Sequence, residues 1–257
     1  MAKPPLKIVH TESSNGWGGQ EMRILVEAQG LIERGHDVHI LCCYNSGLQR
    51  EAARRGLPNT SLAIGKKTPW ALRILRKWLS EHPVDIVNTH SSTDSWLTAL
   101  ALRTMRHPPA LVRTRHVSVP ISARAATRWL YRQPQHVVTT GELLREQVIA
   151  LGVEPQSVSS VPTGQDTALF APGDKARARH ELGIDEQALA ITIVATLRSW
   201  KGHRYLIEAF EQLGRDDTLL LIVGDGPQRE NLERQVRATG RLEQIRFAGN
   251  RDNVVPW

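Results

Sequence analysis

Three short stretches hold residue types that could handle an anionic ligand. The first is Thr11-Glu-Ser-Ser-Asn-Gly-Trp-Gly-Gly-Gln-Glu21. Adjacent glycines at the mouth of a helix let backbone N–H groups approach a phosphate, and the helix dipole favours the anion. The spacing of Gly16, Gly18 and Gly19 is not the dinucleotide fingerprint, and no Gly-Lys-Ser/Thr follows it. A plain strand-to-helix turn would carry the same glycines. The second stretch, Ala195-Thr-Leu-Arg198-Ser-Trp-Lys201-Gly202, sets two cations three residues apart. Arginine offers a fork to two phosphate oxygens and lysine a point charge, so the pair could neutralise a diphosphate. A solvated loop would look the same. The third, Leu221-Ile-Val-Gly224-Asp-Gly226-Pro227, reads as a buried strand, a tight glycine turn and a proline at a helix start.

These stretches need a frame. Short apolar, β-branched runs occupy 6–10, 37–43, 85–89, 110–114, 136–139, 158–161, 190–196, 218–223 and 244–248. Loop residues flank each run, which predicts buried strands. Helical periodicity fills the intervals: Met22, Leu25, Ala28 and Ile32 recur at spacings of three and four, and Gly35 stops that helix. Strand and helix in alternation predict a parallel sheet covered on both faces. In such a sheet the loops at the carboxyl ends of the strands form the ligand crevice, and the Thr11–Glu21 stretch follows the first strand.

One segment breaks the rhythm. Residues 161–173 carry two prolines, two glycines and no periodicity. This divides the chain into a first domain at 1–162, a hinge at 163–173 and a second domain at 174–257. The charge changes there too. Residues 1–165 hold 20 Lys and Arg against 12 Asp and Glu, whereas 166–257 hold 13 against 14. A basic half and a near-neutral half suggest different partners, one of them anionic. The second domain supplies only about three strands, and its tail, Val254-Val-Pro-Trp257, is apolar. An incomplete domain is expected; a tail tucked beneath the existing sheet is the alternative.

Composition narrows the class. Of 257 residues, 40% are hydrophobic and 23% charged, a globular balance that excludes disordered and collagen-like chains. The two cysteines, Cys42 and Cys43, are adjacent, which excludes a disulfide scaffold and a four-cysteine zinc site and suggests a reducing compartment. The first ten residues hold no continuous apolar run of the secretory kind, and no stretch approaches the roughly 18 apolar residues that span a bilayer. A soluble, cytoplasmic chain is expected. Aromatic residues make up only 5%, and no nucleic-acid-binding motif is present, so no nucleic-acid partner is expected.

Taken in order, the motifs resemble glycosyltransferase family 4, whose members have the GT-B fold. The resemblance runs the length of the chain. It includes the Gly-Gly loop, Arg34-Gly-His-Asp-Val38 at a helix end, and Val161-Pro-Thr-Gly-Gln-Asp-Thr…Phe170, which is similar to the family's Pro-Asn-Gly-Val-Asp. Leu197-Arg…Lys-Gly202 with Leu206-Ile-Glu-Ala-Phe210, Val223-Gly-Asp-Gly-Pro227 and Phe247-Ala-Gly249 complete it. The implied fold is two Rossmann-like α/β domains facing each other across a cleft, the second incomplete. The implied activity is a retaining, metal-independent transfer of a sugar from a nucleotide diphosphate-sugar to an acceptor hydroxyl.

By position, the resemblance gives Arg198 and Lys201 the donor diphosphate, and Gly18 and Gly19 a closing role over the same phosphates. Fixed cations are what a leaving diphosphate without a divalent ion requires. Gly224, Asn250 and Arg251 fall where the family contacts the nucleotide. His116, closing Arg113-Thr-Arg-His116, resembles the family's strand-end histidine near the reacting sugar, where a neutral imidazole could donate to a hydroxyl. His90 ends Asp85-Ile-Val-Asn-Thr-His90 in a similar place and, with Glu21, is an acceptor-side candidate. Either histidine could equally be a polar strand cap. His10, inside the first strand, reads as a core histidine; Glu12 and Glu21 could be acceptor contacts but read first as caps of the first helix. The loop between Arg198 and Lys201 is shorter than is common in the family. The family's Glu-x7-Glu segment would fall beyond Trp257, so the sequence resembles a transferase cut within its second domain.

The basic half adds a surface. Residues 71–79 set Arg73, Arg76 and Lys77 opposite Leu72, Leu75, Trp78 and Leu79, and Arg124, Arg128 and Arg132 recur every four residues within 121–132. Near an anionic leaflet each cation adds about 1 kcal/mol, which suits peripheral contact with the inner face of the cytoplasmic membrane. An ordinary solvated helix face is the alternative. A glycan or lipid-linked acceptor, as in lipopolysaccharide or polysaccharide assembly, would fit that contact. No metal or cofactor is expected beyond the nucleotide-sugar substrate. Two rival functions share the sequence features: a catalytically inactive truncated binding or scaffold remnant, and a nucleotide-sugar epimerase of the same fold.

Overall fold

The computed structural model describes residues 4–117, 119–251 and 253–257. Residues 1–3, at the head of the stretch read as lacking a secretory apolar run, lie outside the described residues. The chain divides into two compact units, Met1–Gly164 and Gln165–Trp257.

The first unit is a seven-stranded sheet in which every neighbouring pair is parallel. Its elements run β1 (Lys7–Glu12), α1 (Gly19–Glu33), β2 (Asp37–Cys42), α2 (Gly47–Arg54), β3 (Asn59–Ser61), α3 (Pro69–Glu81), β4 (Ile86–Thr89) and α4 (Ser92–Leu102). Then follow β5 (Ala110–Arg115), α5 (Ala125–Tyr131), β6 (His136–Thr139), α6 (Glu142–Ala150) and β7 (Val158–Ser160). Successive strand residues point to opposite faces. Accordingly Ile8, Val38 and Ile40 pack with Ile24, Leu25 and Ala28 of α1 on one face. Val9, Leu41, Val87 and Leu111 pack with Leu75 and Leu79 of α3 and Leu97 of α4 on the other. The strand order β3-β2-β1-β4-β5-β6-β7 reverses direction between β1 and β4. The crossovers leave that point in opposite directions, and the carboxyl ends of the two strands there are where open α/β sheets bind ligands.

The second unit holds α7 (Lys175–Leu182), β8 (Leu189–Val194), a 3-10 turn (Ser199–Lys201), α8 (His203–Leu213), β9 (Thr218–Val223), α9 (Arg229–Thr239) and β10 (Ile245–Gly249). Its parallel sheet has the order β10-β9-β8. All of β9 is buried. Leu220 and Ile222 meet Ile207 and Phe210 of α8 and Leu232 and Val236 of α9. The opposite face is thin. Leu219 and Leu221 pack with Ile184, and Trp257 of the apolar tail tucks against them. The edge strand β8 leaves Leu189 and Val194 exposed.

The structure adds one strand and defines two basic helical surfaces. β3 was not foreseen, because Asn-Thr-Ser carries no apolar signal; it pairs at the sheet edge through Ile40, Leu41 and Cys42. Within 121–132, α5 starts only at Ala125, with Arg124 and Arg132 as its caps; Arg128 N donates to Arg124 O at 2.9 Å and Arg132 N to Arg128 O at 3.2 Å, so the three exposed arginines do follow one another at four-residue spacing. In α3 the apolar side, Ala71, Leu75 and Leu79, is buried in the core while Arg73, Arg76 and Lys77 stay exposed. No helix among the described residues is long and apolar enough to cross a membrane.

Candidate functional site

The switch point of the first sheet gathers an unusual amount of buried polarity. His10 lies in β1, His90 directly follows β4 and His116 directly follows β5, so three neighbouring strands each deliver an imidazole to one end of the sheet. The rings form a single file. His10 Nδ1 is 2.8 Å from His90 Nε2, and His90 Nδ1 is 2.8 Å from His116 Nε2. The ring centroids are 5.1 Å apart at both steps. Burial pushes His10 down to about 4. His116 falls to about 3, through burial first and then the charges of Arg23 and Arg115. His90 lies well below the usual imidazole range for the same main reason, burial. Because these nitrogens point at one another, they converge on no common point, and no group of His, Cys, Asp and Glu suited to a metal ion occurs among the described residues.

Beneath the histidines sits a carboxylate that sequence reasoning missed. Asp94 is fully buried and its oxygens accept from Thr11 Oγ1 at 2.9 Å, the His90 N–H at 2.9 Å, the Ser91 N–H at 3.0 Å and Ser91 Oγ at 2.6 Å. Its reach back to Ser91 is the third-residue half of a capping box at the start of α4. Ser91-Ser-Thr-Asp94, immediately after His90, was the available signal. Glu12 at the end of β1 is a second correction. It caps no helix; its carboxyl accepts from the Ser14 N–H at 2.7 Å and pairs with the Gln20 side chain. Burial, then the nearby Asp94, push Glu12 up to about 8. Burial also raises Asp94, but its hydrogen bonds oppose this. With five donors on Asp94, Ser13 Oγ at 3.4 Å being the fifth, and two on Glu12, the negative charge belongs on Asp94 and the proton on Glu12.

The glycine loop leads from this cluster into α1. Gly18 is the residue before the helix, in extended backbone, and its carbonyl accepts from Met22 N at 3.1 Å. A side chain at Gly19 would meet nothing within 4 Å, and one at Gly18 only Glu21 Oε2 at 3.8 Å. Packing therefore does not demand either glycine. Glu21 is buried in the first turn, its carboxyl beside the loop, where it offsets the helix dipole. A second missed residue, Arg23, is buried with its guanidinium paired to Glu27 and donating to Val161 O at 2.8 Å.

In the second unit, Arg198 precedes and Lys201 ends the 3-10 turn between β8 and α8, and both are exposed. The Lys201 N–H donates to Arg198 O at 3.0 Å, and the Arg198 guanidinium lies 5.4 Å from the centre of the exposed Trp200 ring. The loop is anchored just before the cations: Leu197 is buried, its N–H donates to Asp225 O at 3.0 Å, and its carbonyl accepts from Gln228 N at 3.0 Å. Gly224 bridges to Gly249 through a 2.8 Å hydrogen bond, bringing the β9 and β10 ends together. Asn250 and Arg251 follow, both exposed, with the Arg251 guanidinium 5.5 Å from the Trp257 ring centre. Thus Arg198, Lys201 and Gly224 share one end of the second sheet, as His10, His90 and His116 share one end of the first.

Comparison with known sequences bears on this arrangement. The sequence model of Glycosyltransferase Family 4 matches residues 17–169. This chain belongs to glycosyltransferase family 4. Glycosyl transferases group 1 matches residues 174–256 of the same family 4 chain. A D-inositol 3-phosphate glycosyltransferase of Segniliparus rotundus is 34% identical over 40% of this chain and 22% of its own length. The enzyme of the same name from Nocardia farcinica is 26% identical over 65% of this chain and 41% of its own. The family 4 chain thus spans well under half the length of these curated relatives. Among solved structures, Anabaena HepE in complex with UDP and glucose superposes with a TM-score of 0.81 at 18% identity, over 98% of this chain and 71% of that one. The expected fold class, two Rossmann-like α/β units with parallel sheets, is borne out.

Proposed function

We propose that the chain is part of a glycosyltransferase that moves a sugar from a nucleoside diphosphate-sugar to an acceptor hydroxyl. The observation that carries this reading is the family 4 match over the unit that holds the histidine file. The exposed cation pair in the loop matched to group 1 supports it. In the reaction the bond from the anomeric carbon to the diphosphate oxygen breaks, and a bond from that carbon to the acceptor oxygen forms. The acceptor's proton goes to the departing phosphate oxygen, and delivery on the face the diphosphate leaves gives retention. Arg198 and Lys201 would receive the charge that builds on the leaving group, a role for which two fixed cations suffice without a divalent ion. Backbone N–H groups at the start of α1, beside Gly18 and Gly19, are further donors for an anionic oxygen. Gly224, Asn250 and Arg251 lie beside the cation loop and suit the nucleoside end of such a donor. Glu21 and His90 are kept as acceptor-side residues through the loop and the ring they touch. The acceptor class we favour is a glycan or lipid-linked hydroxyl of a cell-surface polymer, met at the inner face of the cytoplasmic membrane; the exposed Arg73, Arg76 and Lys77 support the contact with anionic lipid.

Thermal melting of the chain with UDP, GDP or ADP tests the donor. One of the three is expected to raise the melting temperature, since a ligand at 100 times its Kd adds about 2.7 kcal/mol. If none does, the nucleotide-donor reading fails. Donor breakdown only when an acceptor is present marks a transferase, whereas turnover with no acceptor would mark an epimerase. Tight nucleotide binding with no turnover in the presence of acceptors would leave a binding remnant.

A further inference from the structure

The histidine file has a direction, and the structure fixes it at its buried end. Each neutral imidazole carries one N–H, so a file of three rings joined by two hydrogen bonds has only two consistent states. In one, every ring donates towards His116; in the other, every ring donates towards His10. No single ring reverses alone, because reversal would set two lone pairs or two hydrogens face to face. The states differ at the ends. His10 Nε2 is buried with no partner. In the inward state that atom carries a hydrogen with nothing to receive it; in the outward state it carries only a lone pair. Buried N–H groups without an acceptor are rare in proteins because the lost hydration is not replaced. The outward state is therefore favoured: His10 Nδ1–H donates to His90 Nε2, and His90 Nδ1–H donates to His116 Nε2. At the other end, His116 is half-buried and its Nδ1 makes no hydrogen bond among the described residues.

We propose that His10 and His90 are positioning residues that hold His116 in its Nδ1–H tautomer, making its outward nitrogen a fixed hydrogen-bond donor to a hydroxyl oxygen of the sugar substrate. The same geometry argues against His116 as a base. In that tautomer the outward nitrogen already bears hydrogen and has no lone pair with which to take up a proton. The guanidinium charges of Arg23 and Arg115 and the burial of the ring oppose its charging. His116 thus orients a hydroxyl and stays neutral while the sugar transfers. His10, which reads in the sequence as an ordinary core histidine, sets the polarity of the whole file.

The assignment of a sugar hydroxyl as the recipient rests on the glycosyltransferase reading; the tautomer does not, and it can be read with no substrate present. Long-range 1H–15N spectra of the chain labelled with 15N-histidine report which nitrogen of each ring bears hydrogen, and loss of one set in His116→Gln assigns His116. A protonated Nδ1 and a bare Nε2 on His116 between pH 6 and 8 is the expected result. The reverse tautomer, or a doubly protonated ring in that range, overturns the proposal. A second measurement separates positioning from mere packing. His10→Asp, which when ionised can only accept at the Nδ1 position, is expected to reverse the file and make the Nε2–H form of His116 the major one. His10→Asn, whose amide N–H can stand near the Nδ1 position, is expected to keep the original tautomer. Equal spectra for His116 in all three proteins would remove His10 from the role. Should His10→Asp fail to fold, the spectrum of the unaltered chain still decides. Failure of nucleotide binding with the expected tautomer present would count against the transferase reading alone.

Discussion

Arg23 Nη1 donates to the carbonyl of Val161 at 2.8 Å, joining the second turn of α1 to a residue 138 positions later where the chain leaves β7. The guanidinium is 5% exposed and also meets Glu27 at 2.5 Å. This one side chain therefore ties the helix that follows the glycine loop to the exit of the first unit. Arg23→Met keeps the apolar stem but strands the Val161 carbonyl and the Glu27 carboxylate. A loss of about 2–3 kcal/mol in urea unfolding is expected, in the range of hydrogen bonds to charged groups. Because the Arg23 charge helps keep His90 and His116 neutral, the same variant should titrate His116 at a higher pH. An unchanged midpoint and titration would show the contact to be incidental.

The buried titratable groups predict a stability optimum with two differently caused flanks. Native Glu12 holds its proton up to about pH 8, whereas an unfolded glutamate loses it near 4.5. Between those values unfolding releases a proton, so stability falls as pH rises. Native His10 and His116 stay neutral down to about 4 and about 3, whereas unfolded histidine charges near 6.5. There unfolding takes up protons, so stability falls as pH drops. Melting of the chain from pH 5 to 8 should therefore show a decline above about 6.5 that Glu12→Gln abolishes, with the acid flank retained. Parallel curves for the two proteins would mean that Glu12 is ionised when folded.

Much of this arrangement was legible. Uninterrupted apolar runs such as Thr218–Val223 are strands because both faces of a parallel sheet are covered, and their limits agree with the sequence to within a residue or two. What escaped depends on contacts between distant residues. Nothing local distinguishes His10 from a packed core histidine; its role arises because β1 and β4, 80 residues apart in the His10–His90 pair, are neighbours in the sheet. Asp94 was readable as a helix-capping residue but not as the acceptor of Thr11. Arg23 lies off the face set by Met22, Leu25, Ala28 and Ile32, where a charge looks exposed until Val161 returns to meet it.

The cation loop gives a prediction about binding without folding. Arg198 and Lys201 are exposed and carry no ion pair among the described residues, so alanine at either should leave the melting temperature within a degree or two. If they receive a diphosphate, each substitution should weaken the nucleotide identified by melting at least tenfold, about 1.4 kcal/mol. Titration calorimetry measures this, with Arg237→Ala on α9 as an exposed charge of the same unit. Equal weakening by all three would reduce the effect to general charge, and no weakening by the first two would take the diphosphate away from this loop.

Two glycines separate what the fold requires from what a ligand would require. At Gly224, φ is +135° and a Cβ would stand 2.1 Å from Ala195 O, backbone that cannot move without shifting the cation loop. Gly224→Ala combines a forbidden backbone region with a collision, and a loss of about 3 kcal/mol or more is expected. Gly19 is the opposite case, the first residue of α1 with open space where a Cβ would lie. Gly19→Ala should leave folding intact or raise stability by about 0.4–1 kcal/mol, because alanine has less unfolded-state freedom to lose. A phosphate that sits on the backbone N–H groups at this helix start needs that open space. Gly19→Ala should accordingly weaken nucleotide diphosphate binding while the protein melts no lower. If binding is unaffected, the glycine loop serves only as a turn.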